Sequence, residues 1–203
     1  HAQGRDRDAI WDAMKRREVY GTSGHRMLLW FDLVNAKGDN LSLPMGSDVD
    51  MDSNPRFSAK VIGSFKQLPG CPDYVVKTLE QKRLQKLSLG ECYHPSDERY
   101  LIDRIEVIKI RPQSYVDEEV PPLIEDPWRT FECLPSVEGC TIEFKDPDFV
   151  ADGRDALYYI RAHEQAIPTI NGGNLRTDFD GQGNAINTDP CFGDYRTAEK
   201  DDC

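Results

Sequence analysis

Ile102-Asp103-Arg104-Ile105-Glu106-Val107-Ile108-Lys109-Ile110 decides the fold of this chain. β-Branched apolar residues alternate with charged ones, the period of two that a strand with one buried face requires, and Pro112 stops the run. The same pattern recurs upstream at residues 57–65, through Phe57, Ala59 and Val61, with Gly63 at a bulge position. Residues 26–34 form a further strand, whose run Met27, Leu28, Leu29, Trp30 and Phe31 predicts burial on both faces. Downstream, residues 130–134 and 140–144 suggest a hairpin around Pro135 and Gly139, and residues 156–164 another strand. Helical spacing occurs twice. Residues 6–17 place Ala9, Ile10, Ala13 and Met14 on one side, with Lys15, Arg16 and Arg17 at the end where the helix dipole favours cations. Residues 73–87 place Val76, Leu79, Leu84 and Leu87 in a stripe behind Asp73, a capping residue. Residues 36–55, 112–128 and the last forty are expected to be loop. Five or six strands, two helices and no β-α-β alternation predict a mainly β fold. The expected form is an antiparallel, immunoglobulin-like β-sandwich with an N-terminal helix and one inserted helix.

Composition narrows the function. The chain has 203 residues, with 25 Lys and Arg against 36 Asp and Glu, a net charge of −11. Such a surface repels phosphate, which argues against a nonspecific nucleic-acid partner. No apolar run approaches the roughly 18 residues of a membrane span. Three Trp, eight Tyr and eight Phe argue against disorder.

Six cysteines are present, at 71, 92, 133, 140, 191 and 203, and none forms a C-x-x-C knuckle. An even count at wide spacing points to disulfides, and so to a periplasmic or secreted protein. Local pairing has the smallest loop-closure entropy, which favours Cys71–Cys92, Cys133–Cys140 and Cys191–Cys203 among the possible connectivities. The polar opening, HAQGRDRDAIW, and the acidic close at Cys203 give the chain the look of a piece of a longer protein.

Candidate chemistry is thin. Asp48, Asp50 and Asp52 stand at every second position in a Gly- and Ser-containing loop, and Asp178 and Asp180 begin another such loop. Alternating carboxylates of this kind are candidate calcium ligands, although neither loop has an EF-hand's closing glutamate, and a solvated acidic turn is the leading account of each. His1, His25, His94 and His163 are scattered, and no G-x-S-x-G elbow occurs. An extracellular carbohydrate- or ligand-binding module, calcium-stabilised, stays open as an alternative; Trp30, Trp128 and Tyr158 would form its sugar platform. A complete small enzyme lacks a visible acid–base cluster.

The stretch 7–26, RDAIWDAMKRREVYGTSGHR, resembles the last helix and closing turn of a PHP-type (polymerase and histidinol phosphatase) metal-dependent phosphohydrolase domain. Further matches run on through Pro69-Gly70-Cys71-Pro72, Gly90-Glu91-Cys92-Tyr93, Arg104-Ile105-Glu106-Val107, Asp126-Pro127-Trp128, Tyr158-Tyr159-Ile160-Arg161-Ala162 and Pro190-Cys191-Phe192-Gly193-Asp194-Tyr195. Together they are similar to the C-terminal part of a large, mostly bacterial family of unknown function that carries such a domain. The resemblance implies that residues 1–24 close an upstream PHP-like domain and that 25–203 form an accessory β-sandwich with disulfide-stapled loops. It implies no cofactor in this chain and a divalent metal upstream. The partner would be that upstream domain, with homo-oligomerisation left open. His25 or Arg26 would face substrate phosphate or sulfate, with a structural ion pair to an acidic residue an equal alternative for Arg26, and no residue here would be catalytic. In that reading Trp11 has lost part of its natural cover and stays partly exposed.

Overall fold

The computed structural model describes residues 1–36, 42–89 and 92–167, together with the backbone of two short strands, β10 (Thr177–Phe179) and β11 (Ala185–Thr188). Two compact units are present, His1–Gln165 and Ala166–Cys203.

In the first unit the chain opens with α1 (Arg7–Lys15), which the Asp6 carboxylate caps by accepting from the Ala9 N–H at 2.9 Å. Four antiparallel strands then make one sheet in the order β2-β1-β3-β8: β1 (Leu28–Leu33), β2 (Leu43–Pro44), β3 (Arg56–Ile62) and β8 (Cys140–Lys145). A second antiparallel sheet has the order β7-β6-β9, from β6 (Ile102–Ile110), β7 (Ile124–Glu132) and β9 (Leu157–Glu164). Between β3 and β6 the chain makes a ribbon of β4 (Phe65–Pro69) and β5 (Tyr93–Arg99), which enclose the helices α2 (Asp73–Thr78) and α3 (Gln81–Ser88). A short helix, α4 (Phe149–Asp152), precedes β9.

Both sheets contribute to one core. Leu29, Phe31, Phe57, Val61 and Phe144 from the first cluster with Ile105, Val107, Trp128, Tyr158 and Ile160 from the second. The Phe57 ring lies 4.7 Å from that of Tyr158 and 5.1 Å from that of Phe144. Ile105 and Val107 are fully buried, which stabilises the fold by about 1.5–3 kcal/mol for each side chain.

One polar group is built into this core. Lys109 Nζ lies 2.7 Å from Asp146 Oδ2 and 3.1 Å from Asp152 Oδ2, with Lys109 only 3% and Asp146 0% exposed. The Tyr158 hydroxyl donates to the same Asp146 oxygen at 2.5 Å, and the Asp148 N–H donates to the other at 3.0 Å. Burial by itself would raise the Asp146 carboxyl. Lys109, Tyr158 and the Asp148 N–H outweigh it and hold the group below the ordinary carboxylate range. Burial and the facing Asp146 push the Tyr158 hydroxyl upward, so it remains a donor.

The fold is mainly β, with antiparallel sheets and few, short helices, as expected. Several finer expectations need correction. β1 is buried on one face only: Leu29, Phe31 and Leu33 are buried, whereas Leu28 is exposed and Trp30 and Asp32 are half-buried, because among the described residues only one side of this strand meets the core. The inserted helix is two helices. Leu79 and Glu80 are extended, and the Thr78 hydroxyl donates back to the Tyr74 carbonyl at 2.7 Å, competing with continuation of the turn. Asp73 is the first helical residue rather than the cap, a place taken by Pro72. Residues 130–134 and 140–144 do not form a hairpin. β7 pairs with β6 and β8 with β3, so the segment between them crosses from one sheet to the other. β7 begins at Ile124, inside the expected loop, and β5 was not anticipated because Tyr93-His94-Pro95-Ser96-Asp97-Glu98-Arg99 is polar and holds a proline, which an edge ribbon tolerates. Within the last forty residues, β10 and β11 pair antiparallel. Gly63 is not in a bulge. It lies between β3 and β4, where a Cβ would overlap the Tyr100 carbonyl oxygen.

Replacing Lys109 by Met is expected to destabilise the chain by about 3–5 kcal/mol, since it leaves a buried Asp146 carboxylate without its cation. Urea denaturation of the wild-type and Lys109→Met chains measures this, and a change below about 1 kcal/mol would contradict the assignment.

Candidate functional site

Two carboxylates on the second sheet organise the charged side chains of this unit. Glu106 is the first. Register pairs it with Arg161 across β6 and β9, and pairs Arg104 with His163 two residues along. Arg104 Nε lies 2.9 Å from Glu106 Oε1, while Arg161 Nη2 and His163 Nε2 lie 2.9 Å and 3.2 Å from Oε2. Arg161 also reaches Asp126 on β7, and Arg104 pairs with Asp103 at 2.9 Å. The Arg104 guanidinium above all, then His163 and Arg161, overcome burial and lower the Glu106 carboxyl to about 2.

Glu164, at the end of β9, is the second. Its Oε1 accepts from the Ser64 N–H at 2.6 Å and from the Ser64 hydroxyl at 2.8 Å. Its Oε2 lies 2.9 Å from His25 Nδ1, and the His25 ring stacks on Tyr100 with centroids 4.3 Å apart. His25 is thus fixed in orientation by two elements remote in sequence, with its ring partly exposed. Ser64 bonds to Glu164 and not to the imidazole, so the three side chains do not form a nucleophile–base relay. Arg26, the next residue, is exposed and has no hydrogen-bond or ion-pair partner among the described residues. The turn therefore carries one oriented imidazole and, at the next position, one free guanidinium.

The acidic loop is placed elsewhere. Asp48 and Asp50 are exposed, and Asp52 is engaged in a contact within the chain. Among the described residues, no group of three or more His, Cys, Asp or Glu side chains converges as a metal set. Asp178 lies on β10 with its side chain outside the described residues, as are Asp180, Cys191 and Cys203.

Two disulfides are formed, Cys71–Cys92 with Cα atoms 4.9 Å apart and Cys133–Cys140 with 5.8 Å. The first ties the two ends of the helical insert together; the second closes the crossover between the sheets. They fit an oxidising, extracytoplasmic location. Among the described residues no helix is long and apolar enough to cross a membrane. Trp128 and Tyr158 pack into the core, and Trp30 lies half-buried near Lys60 and His1, so these three do not make a row of exposed rings.

The exposed face of α1 completes the picture. Ile10 and Met14, one helical turn apart, and Trp11 beside them are 47%, 55% and 56% exposed. Trp11 is therefore partly exposed, as expected, and Ala13 alone on the helix is buried.

Residues 1–61 match the model of a family described as "Protein of unknown function (DUF3604)". The matched stretch takes in α1, the turn with His25 and Arg26, β1, β2 and nearly all of β3. No curated protein and no solved structure matches the chain.

Sequence reasoning did not find Glu106, Glu164 or Arg161. Their partners lie far off in the chain, Arg161 being 55 residues from Glu106 and His25 being 139 from Glu164. Glu106 occupies one of the polar positions of the alternating run 102–110, so local pattern gave no signal that sets it apart.

Glu106 has a pH signature. Its ordinary value is 4.5 and its folded value about 2, so its contribution to stability is complete above the first and is lost as pH falls toward the second. Acid titration of the unfolding free energy is expected to show this loss, and Glu106→Gln to flatten the profile in that window while lowering stability at pH 7.

Proposed function

We propose that this chain is the C-terminal accessory β-sandwich of a PHP-like metal-dependent hydrolase, exported to the periplasm or beyond, and that α1 with the turn up to residue 24 is the closing piece of the catalytic domain preceding it. The observation that carries this reading is the apolar face of α1. Ile10, Trp11 and Met14 stand in water on a helix that is capped, dipole-matched and otherwise well formed. Exposed apolar side chains grouped in this way mark an interaction surface. The family match covers α1 and runs on into the first sheet, which supports helix and strands being parts of one larger design.

In this reading the chemistry belongs to the upstream domain, with its divalent metal, and the sandwich shapes the cleft. The segment 20–26 leads from α1 into β1 and is held from behind by Glu164 and Tyr100. Its free Arg26 guanidinium and the exposed edge of His25 would meet the anionic end of a phosphate or sulfate ester, Arg26 by charge and the imidazole by a hydrogen bond. The anchoring of His25 matters because an oriented donor loses less entropy on binding than a mobile one.

Two measurements test the proposal. The chain alone, supplied with manganese or zinc, is expected to show no phosphatase or sulfatase turnover above background. The longer protein containing the preceding domain is expected to turn over such an ester, with Arg26→Ala raising KM about tenfold at nearly constant kcat, as loss of a charge-assisted contact of roughly 1.4 kcal/mol or more would produce. Metal-dependent turnover by the isolated chain, or an Arg26→Ala enzyme with unchanged KM, would refute it.

A further inference from the structure

We propose that the outer edge of β9 and the groove beside it accept one more strand, an extended basic segment of a partner protein. β9 is hydrogen-bonded to β6 on one side, and among the described residues no strand lies on its other side. Its eight residues thus offer a row of main-chain donors and acceptors of the kind that templates strand addition.

This edge opens into a cavity of about 1200 Å³, lined by every residue of β9 from Leu157 to His163. Alternate residues of a strand point to opposite faces, so only exposure of the edge itself brings all seven to one cavity. The volume exceeds the roughly 300–1,000 Å³ of small-molecule sites. Across from the edge lie Leu29, Phe31 and Leu33, the inward side chains of β1. They are spaced two residues apart, the repeat with which an inserted strand would offer its own inward side chains. Met45 and Met51 complete that wall and can adjust to the side chains that enter. Main-chain bonds to β9 would supply affinity, and apolar residues at alternate positions would fill the space beside β1.

Charge selects the occupant. Asp48, Asp50 and Asp155 line the cavity, are exposed, and have no ion-pair partner among the described residues. Arg161 and His163 are already held by Glu106, which leaves Arg17 as the unmatched cation among the described lining residues. A second copy of a chain with net charge −11 would bring the same acidic rim against this one. A strand flanked by lysine or arginine meets it with opposite charge.

The probe is a synthetic, end-blocked nine-residue peptide of alternating valine and threonine with two lysines added at each end. Amide hydrogen exchange of the full chain is followed with and without it at low salt. Exchange at 157–163 is expected to slow at least tenfold, and a glutamate-flanked version of the peptide to do so at least tenfold less effectively. Asp48→Asn with Asp50→Asn, both on an exposed loop, is expected to weaken the lysine peptide several-fold without changing thermal stability. Unchanged exchange at 157–163 with millimolar peptide, or equal effect of the two peptides, would overturn the proposal. So would protection at 157–163 that rises with protein concentration in the absence of peptide, since a second copy would then be the occupant.

Discussion

The ion pair between Lys109 and Asp146 is the constraint on which the rest of the first unit depends. Lys109 comes from the central strand of one sheet, and Asp146 follows the last residue of β8 in the other. The Asp146 N–H donates to the Pro55 carbonyl just before β3, and its carboxylate takes the Tyr158 hydroxyl from β9. A single residue thereby fixes the end of one sheet against the inner face of the other. The hydrophobic effect is non-directional and does not by itself single out one register between the layers. A buried carboxylate tolerates few arrangements, since each unmet lone pair carries a desolvation cost.

The same device is repeated outside the core. Glu106 collects Arg104, Arg161 and His163, and Glu164 collects Ser64 and His25. Each carboxylate ties β6 or β9 to something remote. The second tie holds the turn that follows α1 and so determines where His25 stands. The disulfides act on the connections instead of the sheets: Cys133–Cys140 closes the crossover, and Cys71–Cys92 closes the insert, whose helices have no buried residues of their own. A helix pair that buries so little would be marginal without such a closure.

Docking through α1 and strand addition at β9 concern different surfaces, one a helical face with Ile10, Trp11 and Met14, the other a sheet edge. Both follow from how little of this unit is closed off. Four- and three-stranded sheets of short strands leave edges, and a helix with one buried residue leaves most of its apolar face in water.

Much of the β content was legible from local pattern alone. The alternation in 102–110 and 57–61 identified β6 and β3, and Asp6-to-Lys15 chemistry identified α1, because each element buries one face and the sequence period reports that directly. Proximity along the chain was enough for Cys71–Cys92 and Cys133–Cys140. Sheet partnership was not legible. Residues 130–134 and 140–144 lie close in sequence and were expected to pair, yet tertiary packing sends them to different sheets, since each finds a longer partner in β6 or β3. Nor could sequence show that Glu106, Lys109 and Glu164 are the organising charges. A carboxylate becomes a structural centre only when strands distant in sequence bring cations and N–H groups to it, and that convergence is decided by the fold.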